Sequence, residues 1–196
     1  MRYIIALCVT VGLAYHVQAQ KIKIIQGSLT PILGQKAISV EFTYDNMTVG
    51  KDKTESAYVT EKKKSLNEKE AGKGDTWSEA WITDRKSRFE PQFIELFSKH
   101  SEIALNSESN TYTLIFKTVR TEPGWNVGVM RASAFIDAEV WIVETANRDN
   151  IIAKLTIKNS PGRDGMGYDF DTGYRIQEAY AKAGKEVGQL VAKAKK

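Results

Sequence analysis

The chain has 196 residues, of which 42% are hydrophobic and 27% are charged, with a formal net charge of +4 at pH 7. This composition is typical of a globular protein and excludes an intrinsically disordered chain. The charge is too small to indicate nucleic-acid binding, and no apolar run after the first 19 residues is long enough to cross a bilayer.

Residues 1–19 have the three parts of a secretory signal peptide. The start is positively charged, Ile4–Ala14 is an apolar run too short for a membrane span, and Val17-Gln18-Ala19 places small residues before a cleavage site. We therefore expect cleavage before Gln20 and export to the periplasm or the outer envelope. Cleavage removes the only cysteine, Cys8, so the mature chain is predicted to have no disulfide, no thiolate metal site and no lipid anchor on cysteine.

Residues 20–196 are predicted to form a single domain that begins with two strands. Lys21–Gln26 alternates weakly between polar and apolar residues. Ala37–Tyr44 alternates clearly, which indicates a strand with one buried face. A secreted domain of this size without disulfides fits a bacterial cell envelope better than eukaryotic secretion.

The region from Thr54 to His100 is predicted to be helical and begins in the most polar part of the chain. Residues 51–75 are interpreted as a polar helical insertion whose first helix ends near Gly72. Its run Lys62-Lys63-Lys64 indicates either a solvated helix face or contact with an anionic envelope surface. Thr76-Trp77-Ser78-Glu79 has the pattern of a capping box, so a second helix is predicted to begin there.

The rest of this region carries further helix signals. Asp84 and Arg88 are spaced for an i,i+4 ion pair, and Pro91 suits the first turn of a third helix. His100, the only histidine of the mature chain, lies at the end of that helix, where the helix dipole favours a cation. One histidine cannot build a histidine-rich zinc site, and no serine-hydrolase elbow motif is present.

Three alternating segments follow and predict an antiparallel meander, because their connections are short. They are Thr111–Arg120, Phe135–Val143 and Ile151–Lys158. Between the first two, Pro123-Gly124-Trp125-Asn126-Val127-Gly128 indicates a turn. Trp125 is either an exposed aromatic that stacks on a sugar or fills a partner's pocket, or a side chain that folds over the end of the core.

The outward face of the middle strand carries Asp137, Glu139 and Trp141. Two carboxylates in a groove can act as an acid–base pair, but neighbouring strands carry lysines beside these two: Lys117, Lys154 and Lys158. Cross-strand ion pairing explains the carboxylates without chemistry, so no catalytic residue is predicted. Trp125, Trp141, Asp137 and Glu139 are the candidate binding residues.

Two motifs near the last helix only partly match ligand-binding loops. Gly162-Arg163-Asp164-Gly165-Met166-Gly167 precedes a helix, but its spacing is not that of a dinucleotide or phosphate loop. Asp169-Phe170-Asp171-Thr172-Gly173 lacks the third acidic position and the bidentate glutamate of a calcium loop. The first motif is interpreted as a loop connection and the second as a helix cap by Asp171 or Thr172. No cofactor and no metal site is therefore predicted.

The last helix, Thr172–Lys195, has an apolar stripe at helical spacing. The stripe consists of Ile176, Tyr180, Ala183, Val187, Leu190 and Val191. A sheet with one apolar face must bury that face against other elements, and we expect the helices to pack on it. The sequence therefore predicts an α+β fold, with a single antiparallel or mixed sheet of four to five strands and helices packed on one face.

The order of elements resembles that of known envelope proteins. A strand at Ile38–Tyr44 and a helix with the Phe93–Phe97 motif precede the hairpin AEVWIVETANRDNIIAKLTI at 138–157 and the helix GYRIQEAYAKAGKEVGQLVAK at 173–193. Over residues 37–193 the chain looks like the small envelope domains of ABC-transporter auxiliary lipoproteins and the amino-terminal domain of TolB. The phrases PGWNVGV and YRIQEAYAKAG are similar to those of uncharacterised secreted proteins of Bacteroidetes-type bacteria.

The resemblance implies a non-enzymatic accessory or adaptor that binds another envelope component. It supplies no catalytic residue. An alternative is a glycan- or peptidoglycan-binding module that uses exposed tryptophans as stacking platforms. A third hypothesis, a hydrolase that acts through carboxylates alone, requires two acids that converge in one pocket.

Overall fold

The computed structural model describes residues 20–106, 108–127, 130–162 and 171–195. The predicted signal peptide and most of the two loop motifs before the last helix lie outside these ranges. The described strands are β1 (Lys21–Gly27), β2 (Ala37–Thr43), β3 (Thr48–Val49), β4 (Lys53–Thr54), β5 (Ala104–Asn106), β6 (Tyr112–Glu122), β7 (Trp125–Val127), β8 (Met130–Ala132), β9 (Phe135–Glu144) and β10 (Ile151–Pro161). The helices are α1 (Glu55–Lys69), α2 (Lys73–Asp84), α3 (Glu90–Ser101) and α4 (Thr172–Ala194), and a π-helical turn at Arg85–Phe89 joins α2 to α3.

Eight strands form one mixed sheet, whose main order is β1-β10-β9-β6-β2-β5. The strands β6, β9, β10 and β1 are antiparallel neighbours, whereas β2 runs parallel to both β5 and β6. The short strand β3 pairs with β6 beyond the end of β2, and β4 pairs with β3. A separate two-stranded ribbon is formed by β7 and β8.

The α+β class is confirmed, but the prediction of four to five strands is wrong. The five longest strands of the sheet are those that alternation indicated. The missed strands β3, β4 and β5 are two or three residues long. Alternation needs four or more residues to be visible, so these strands leave no periodic signal in the sequence.

One face of the sheet is apolar and packs against α3 and α4. Register places Leu114 beside Ile142 and Phe116 beside Val140, and all four side chains are buried. Above them, the hydroxyl groups of Thr118 and Tyr180 are 2.7 Å apart and share a hydrogen bond. The hydrophobic core therefore lies between this face and the two helices.

The last helix closes the core as its apolar stripe predicted. Ile176, Tyr180, Ala183, Val187 and Val191 are buried, and Leu190 is partly buried. Helix α4 also approaches α3 closely at Gly184, where an added Cβ would lie 2.4 Å from the carbonyl oxygen of Phe93. Only glycine permits that separation, because the atom it would meet belongs to the backbone.

The capping-box prediction for the second helix is wrong. Helix α2 begins at Lys73, and Thr76 lies inside its first turn, donating its hydroxyl to the carbonyl oxygen of Gly72 at 3.2 Å. The cap comes instead from the neighbouring helix, because the backbone N–H of Gly74 donates to the side-chain oxygen of Asn67 at 2.6 Å. By contrast, the predicted cap of α4 is confirmed, since Asp171 accepts from the backbone N–H of Tyr174 at 3.0 Å.

In the part of the chain that the structure describes, no helix is long and apolar enough to cross a membrane.

Candidate functional site

The sheet face away from α3 and α4, termed the open face, carries three of the four predicted binding residues. Trp141 in β9 lies between Ile115 of β6 and Lys154 of β10. The ammonium nitrogen of Lys154 is 4.3 Å from the centre of the Trp141 ring, and that of Lys117 is 5.7 Å from it. Two cation–π contacts therefore fix the orientation of a partly buried indole.

Glu139 is tied to the same group. Its carboxylate accepts the indole N–H of Trp141 at 2.9 Å and lies 3.4 Å from the ammonium nitrogen of Lys154. Trp141, Glu139 and Lys154 thus form a closed set of contacts in which each side chain restrains the other two. Such a set is preorganised, because little rotamer entropy is left to lose when a partner binds.

Asp137 is more buried than its neighbours, with 7% of its side chain exposed. It lies 3.0 Å from the guanidinium of Arg120 and 3.6 Å from the ammonium of Lys158, and it accepts the backbone N–H of Asn159 at 2.7 Å. Asn159 has a positive φ of 53° and lies where the register between β10 and β9 shifts. Asp137 therefore holds a β-bulge in place by binding its free N–H group.

Asp137 and Glu139 are thus paired with different cations. Lys158 and Lys154, which the sequence placed beside them, are among their partners in the structure, and Arg120 is a further partner of Asp137. Arg120 was missed because a register shift in β6 brings it opposite Asp137. The face offers stacking and ionic contacts rather than two carboxylates aimed at one point.

Trp125, the fourth predicted residue, lies elsewhere. It starts β7, pairs with Ala132 of β8 and has 45% of its surface exposed, so it does not fold over the end of the core. The turn before it depends on Gly124, which has a φ of 67° and would place a Cβ 2.5 Å from the carbonyl oxygen of Ala132. The hairpin therefore presents an aromatic side chain to solvent.

The Lys62–Lys64 run is not uniformly solvated. Lys63 binds Asp75 at 2.7 Å, which ties α1 to the start of α2. Partial burial lowers the pKa of Lys62, and the nearby charges of Lys69 and Arg175 lower it further.

His100 lies in the last turn of α3, as predicted.

A cleft that the sequence analysis missed lies between α2, the π-helical turn and the start of α4. It has a volume of about 280 Å³. Its aromatic wall is formed by Trp77 and Trp81, whose ring centres are 5.5 Å apart, and Tyr58 packs behind them, 5.3 Å from Trp81. The indole N–H of Trp81 donates to Glu55 at 2.6 Å, which fixes this ring further.

The polar wall of this cleft is centred on Arg88. The guanidinium lies 3.1 Å from a carboxylate oxygen of Asp84 and 2.7 Å from one of Asp171. Burial raises the pKa of Asp84, and the neighbouring charge of Asp171 adds to this while Arg88 opposes it. Burial is the largest influence on the pKa of Asp171 and acts to raise it. The hydrogen bonds from Arg88 and from the backbone N–H groups of Tyr174 and Gly173, together with the charge of Arg88, outweigh burial, so the pKa is lowered.

The approach of α4 to this wall leaves no room for a side chain at Gly173 unless the side chain of Asp84 moves. A Cβ at this position would lie 1.8 Å from a carboxylate oxygen of Asp84. Part of this cleft could have been predicted from the sequence, since four of its residues follow one another at helical spacing: Trp77, Trp81, Asp84 and Arg88. The contribution of Asp171 could not have been predicted, because it lies at a helix end 83 residues after Arg88.

Among the described residues, no group of three histidine, cysteine, aspartate or glutamate side chains is arranged to hold a metal ion.

No protein-family model matches the chain, and no curated protein matches it. Solved structures that resemble it include the PelC dodecamer from Paraburkholderia phytofirmans and a point variant of that dodecamer. The first is 9% identical with a TM-score of 0.43, and the match covers 88% of this chain and 97% of that chain. The second is 9% identical with a TM-score of 0.38, covering 84% and 96% respectively. Similarity this low carries no information about function.

Proposed function

We propose that this protein is a non-enzymatic accessory or adaptor of the bacterial cell envelope, and that its open face binds another envelope protein. The observation that carries the proposal is the restrained Trp141 on a charged, helix-free side of the sheet. Tryptophan dominates the binding energy of many protein interfaces, and a ring already held in place costs little to immobilise.

The charge of the open face indicates the chemistry of the partner. Four cations of β6 and β10 accompany three carboxylates of β6 and β9: Lys117, Arg120, Lys154 and Lys158 with Glu122, Asp137 and Glu139. Register adds Lys21 and Lys23 of β1 to the same face, beside Lys158 and Thr156. Glu41 and Arg148 pair with each other and add no net charge. We therefore propose a partner with an acidic surface around an apolar spot.

The pairing of the carboxylates supports binding rather than hydrolysis. A general acid and a general base must both reach the reacting atoms. Asp137 is held by Arg120 and the Asn159 backbone, and Glu139 is held by Trp141 and Lys154. Neither carboxylate can act as a general acid or base without breaking contacts that hold the side chains of this face in place.

The proposal places the protein outside the cytoplasm, as the signal-peptide pattern of residues 1–19 predicts. There it would be anchored by its partner and not by a lipid on cysteine.

Crosslinking in cells tests the proposal. The tagged protein is crosslinked in its native host, and covalently attached proteins are identified by mass spectrometry. We expect one dominant envelope protein, whose yield falls strongly in Trp141→Ala and in the charge reversal Lys158→Glu. The matched control is Lys99→Glu on the exposed side of α3. Equal yields in all variants, or no protein adduct at all, would contradict the proposal.

A second candidate is a glycan- or peptidoglycan-binding module, favoured by the exposure of Trp125. An aromatic ring on a hairpin can stack against the apolar face of a sugar. Titration with solubilised cell-wall fragments, read by tryptophan fluorescence in wild type and Trp125→Phe, tests it. An unchanged wild-type spectrum at saturating fragment concentration would eliminate this candidate.

A further inference from the structure

We propose that the cleft between α2 and the start of α4 binds one pyranose ring of a saccharide, stacked on Trp77 and hydrogen-bonded to the Arg88 wall. This site is separate from the open face and from the Trp125 hairpin. It does not depend on the adaptor role proposed above.

The size of the cleft suits a single sugar ring. Pockets for drug-sized ligands measure about 300–1,000 Å³, and they combine aromatic walls with a few well-placed polar groups. At about 280 Å³ the cleft is at the lower limit of that range. One ring fits the cleft, while the rest of a longer saccharide chain would extend into solvent.

The aromatic wall supplies a stacking surface that is already ordered. Trp77 is partly exposed, and its ring is supported by Trp81 at 5.5 Å and by Tyr58 at 5.9 Å. Trp81 is itself buried and hydrogen-bonded to Glu55. The C–H groups on one face of a pyranose carry small positive charges, which the negative face of an indole ring attracts.

The polar wall matches the hydroxyl groups of a sugar. Each hydroxyl both donates and accepts hydrogen bonds, so a vicinal pair is best recognised by donors and acceptors side by side. Arg88 supplies donors, and Asp84 and Asp171 supply acceptor oxygens on either side of it. The ion pairs hold these groups in place, and hydrogen bonds to charged groups are stronger than those between neutral ones.

Nuclear magnetic resonance titration of the exported chain, residues 20–196, tests the inference. The probes are the methyl glycosides of glucose, galactose and N-acetylglucosamine. The indole N–H signal of Trp77 is assigned from the Trp77→Phe spectrum. We expect at least one neutral glycoside to shift that signal in a saturable way, with a dissociation constant of about 1 mM.

Variants separate a binding role from a structural one. The Trp77 variants lack the Trp77 indole signal, so binding to them is followed through the indole N–H signal of Trp81, which lines the same cleft. Trp77→Ala should weaken binding about tenfold or more, because the stacking surface is removed. Trp125→Phe and Trp141→Phe are matched controls that should bind normally, and Trp77→Phe should bind with intermediate affinity.

Two outcomes would overturn the inference. They are no saturable shift of the Trp77 signal with any of the glycosides, and loss of binding in Trp125→Phe but not in Trp77→Ala. The last outcome would support the hairpin as a glycan site. Neither of them bears on the crosslinking test of the open face, so the two proposals fail independently.

Discussion

At the scale of single residues, the contacts of each side chain decide the role of the carboxylates on β9. Asp137 is nearly buried and has three partners, whereas Glu139 is about a quarter exposed and forms part of the Trp141 set. The sequence predicted that both point outward and meet lysines. It did not predict their unequal burial, because the bulge at Asn159 that surrounds Asp137 depends on how three strands register.

This difference predicts unequal effects of neutralising the two acids. Asp137→Asn should lower the free energy of unfolding by about 2 kcal/mol, because it leaves Arg120 without its buried counterion. Glu139→Gln should cost less than about 1 kcal/mol, since its ion pair is more exposed. Urea denaturation of both variants measures the difference. Equal losses would show that burial does not set the strength of these pairs.

A second prediction at this scale concerns alkaline pH. Burial raises the pKa of Tyr58 to about 12, and the charge of Glu122 adds to the effect. Since the folded protein keeps this proton while the unfolded chain loses it above pH 10, the stabilisation is complete below pH 10 and is lost as the pH rises towards 12. Raising the pH from 9 to 11 should therefore destabilise the wild type by about 1 kcal/mol more than Tyr58→Phe.

Denaturant unfolding at the two pH values measures this effect. The buried hydroxyl groups of Tyr44 and Tyr180 are common to both proteins, so their titration cancels in the comparison. An identical pH dependence in wild type and Tyr58→Phe would contradict the assignment.

At the scale of elements, the long strands and α4 were predictable and the junctions were not. Alternation and the helical stripe identify each element by its own periodicity, which local sequence carries. The start of α2 was mispredicted because its cap comes from Asn67 in another helix. The close crossing of α3 and α4 likewise depends on glycines whose partners are distant in the chain.

This crossing gives a prediction for Gly184. Alanine is the better helix former, yet its Cβ would meet the Phe93 carbonyl oxygen at 2.4 Å, and backbone cannot move cheaply. We expect Gly184→Ala to destabilise the protein by about 1–3 kcal/mol, measured by thermal or urea denaturation. The control is Gly34→Ala, where no atom lies within 4 Å of the added Cβ. Gly34→Ala should be neutral or slightly stabilising, and equal behaviour of the two would argue against the tight crossing.

At the scale of the whole molecule, the proposed export has a measurable consequence. If the chain is cleaved before Gln20, the secreted protein loses Cys8, the only cysteine. Its intact mass should then correspond to residues 20–196, maleimide should not label it, and reductant should leave its melting temperature unchanged. The full chain expressed in the cytoplasm is the control and should be labelled once. Labelling of the exported form would contradict cleavage at this position.

The sequence by itself determined the α+β class, the five long strands of the sheet, the apolar stripe of α4 and a cap for that helix at Asp171 or Thr172. These features rest on periodicity or on contacts within one turn, so nearby residues are sufficient to specify them. The tertiary structure decided the parallel pairing of β2 with β6, the added short strands, the bulge around Asp137 and the exposure of Trp125. It also brought Asp171 to Arg88 and so completed the cleft beside Trp77. Each of these features depends on two or more segments far apart in the chain, whose relative placement is set by packing of the whole core.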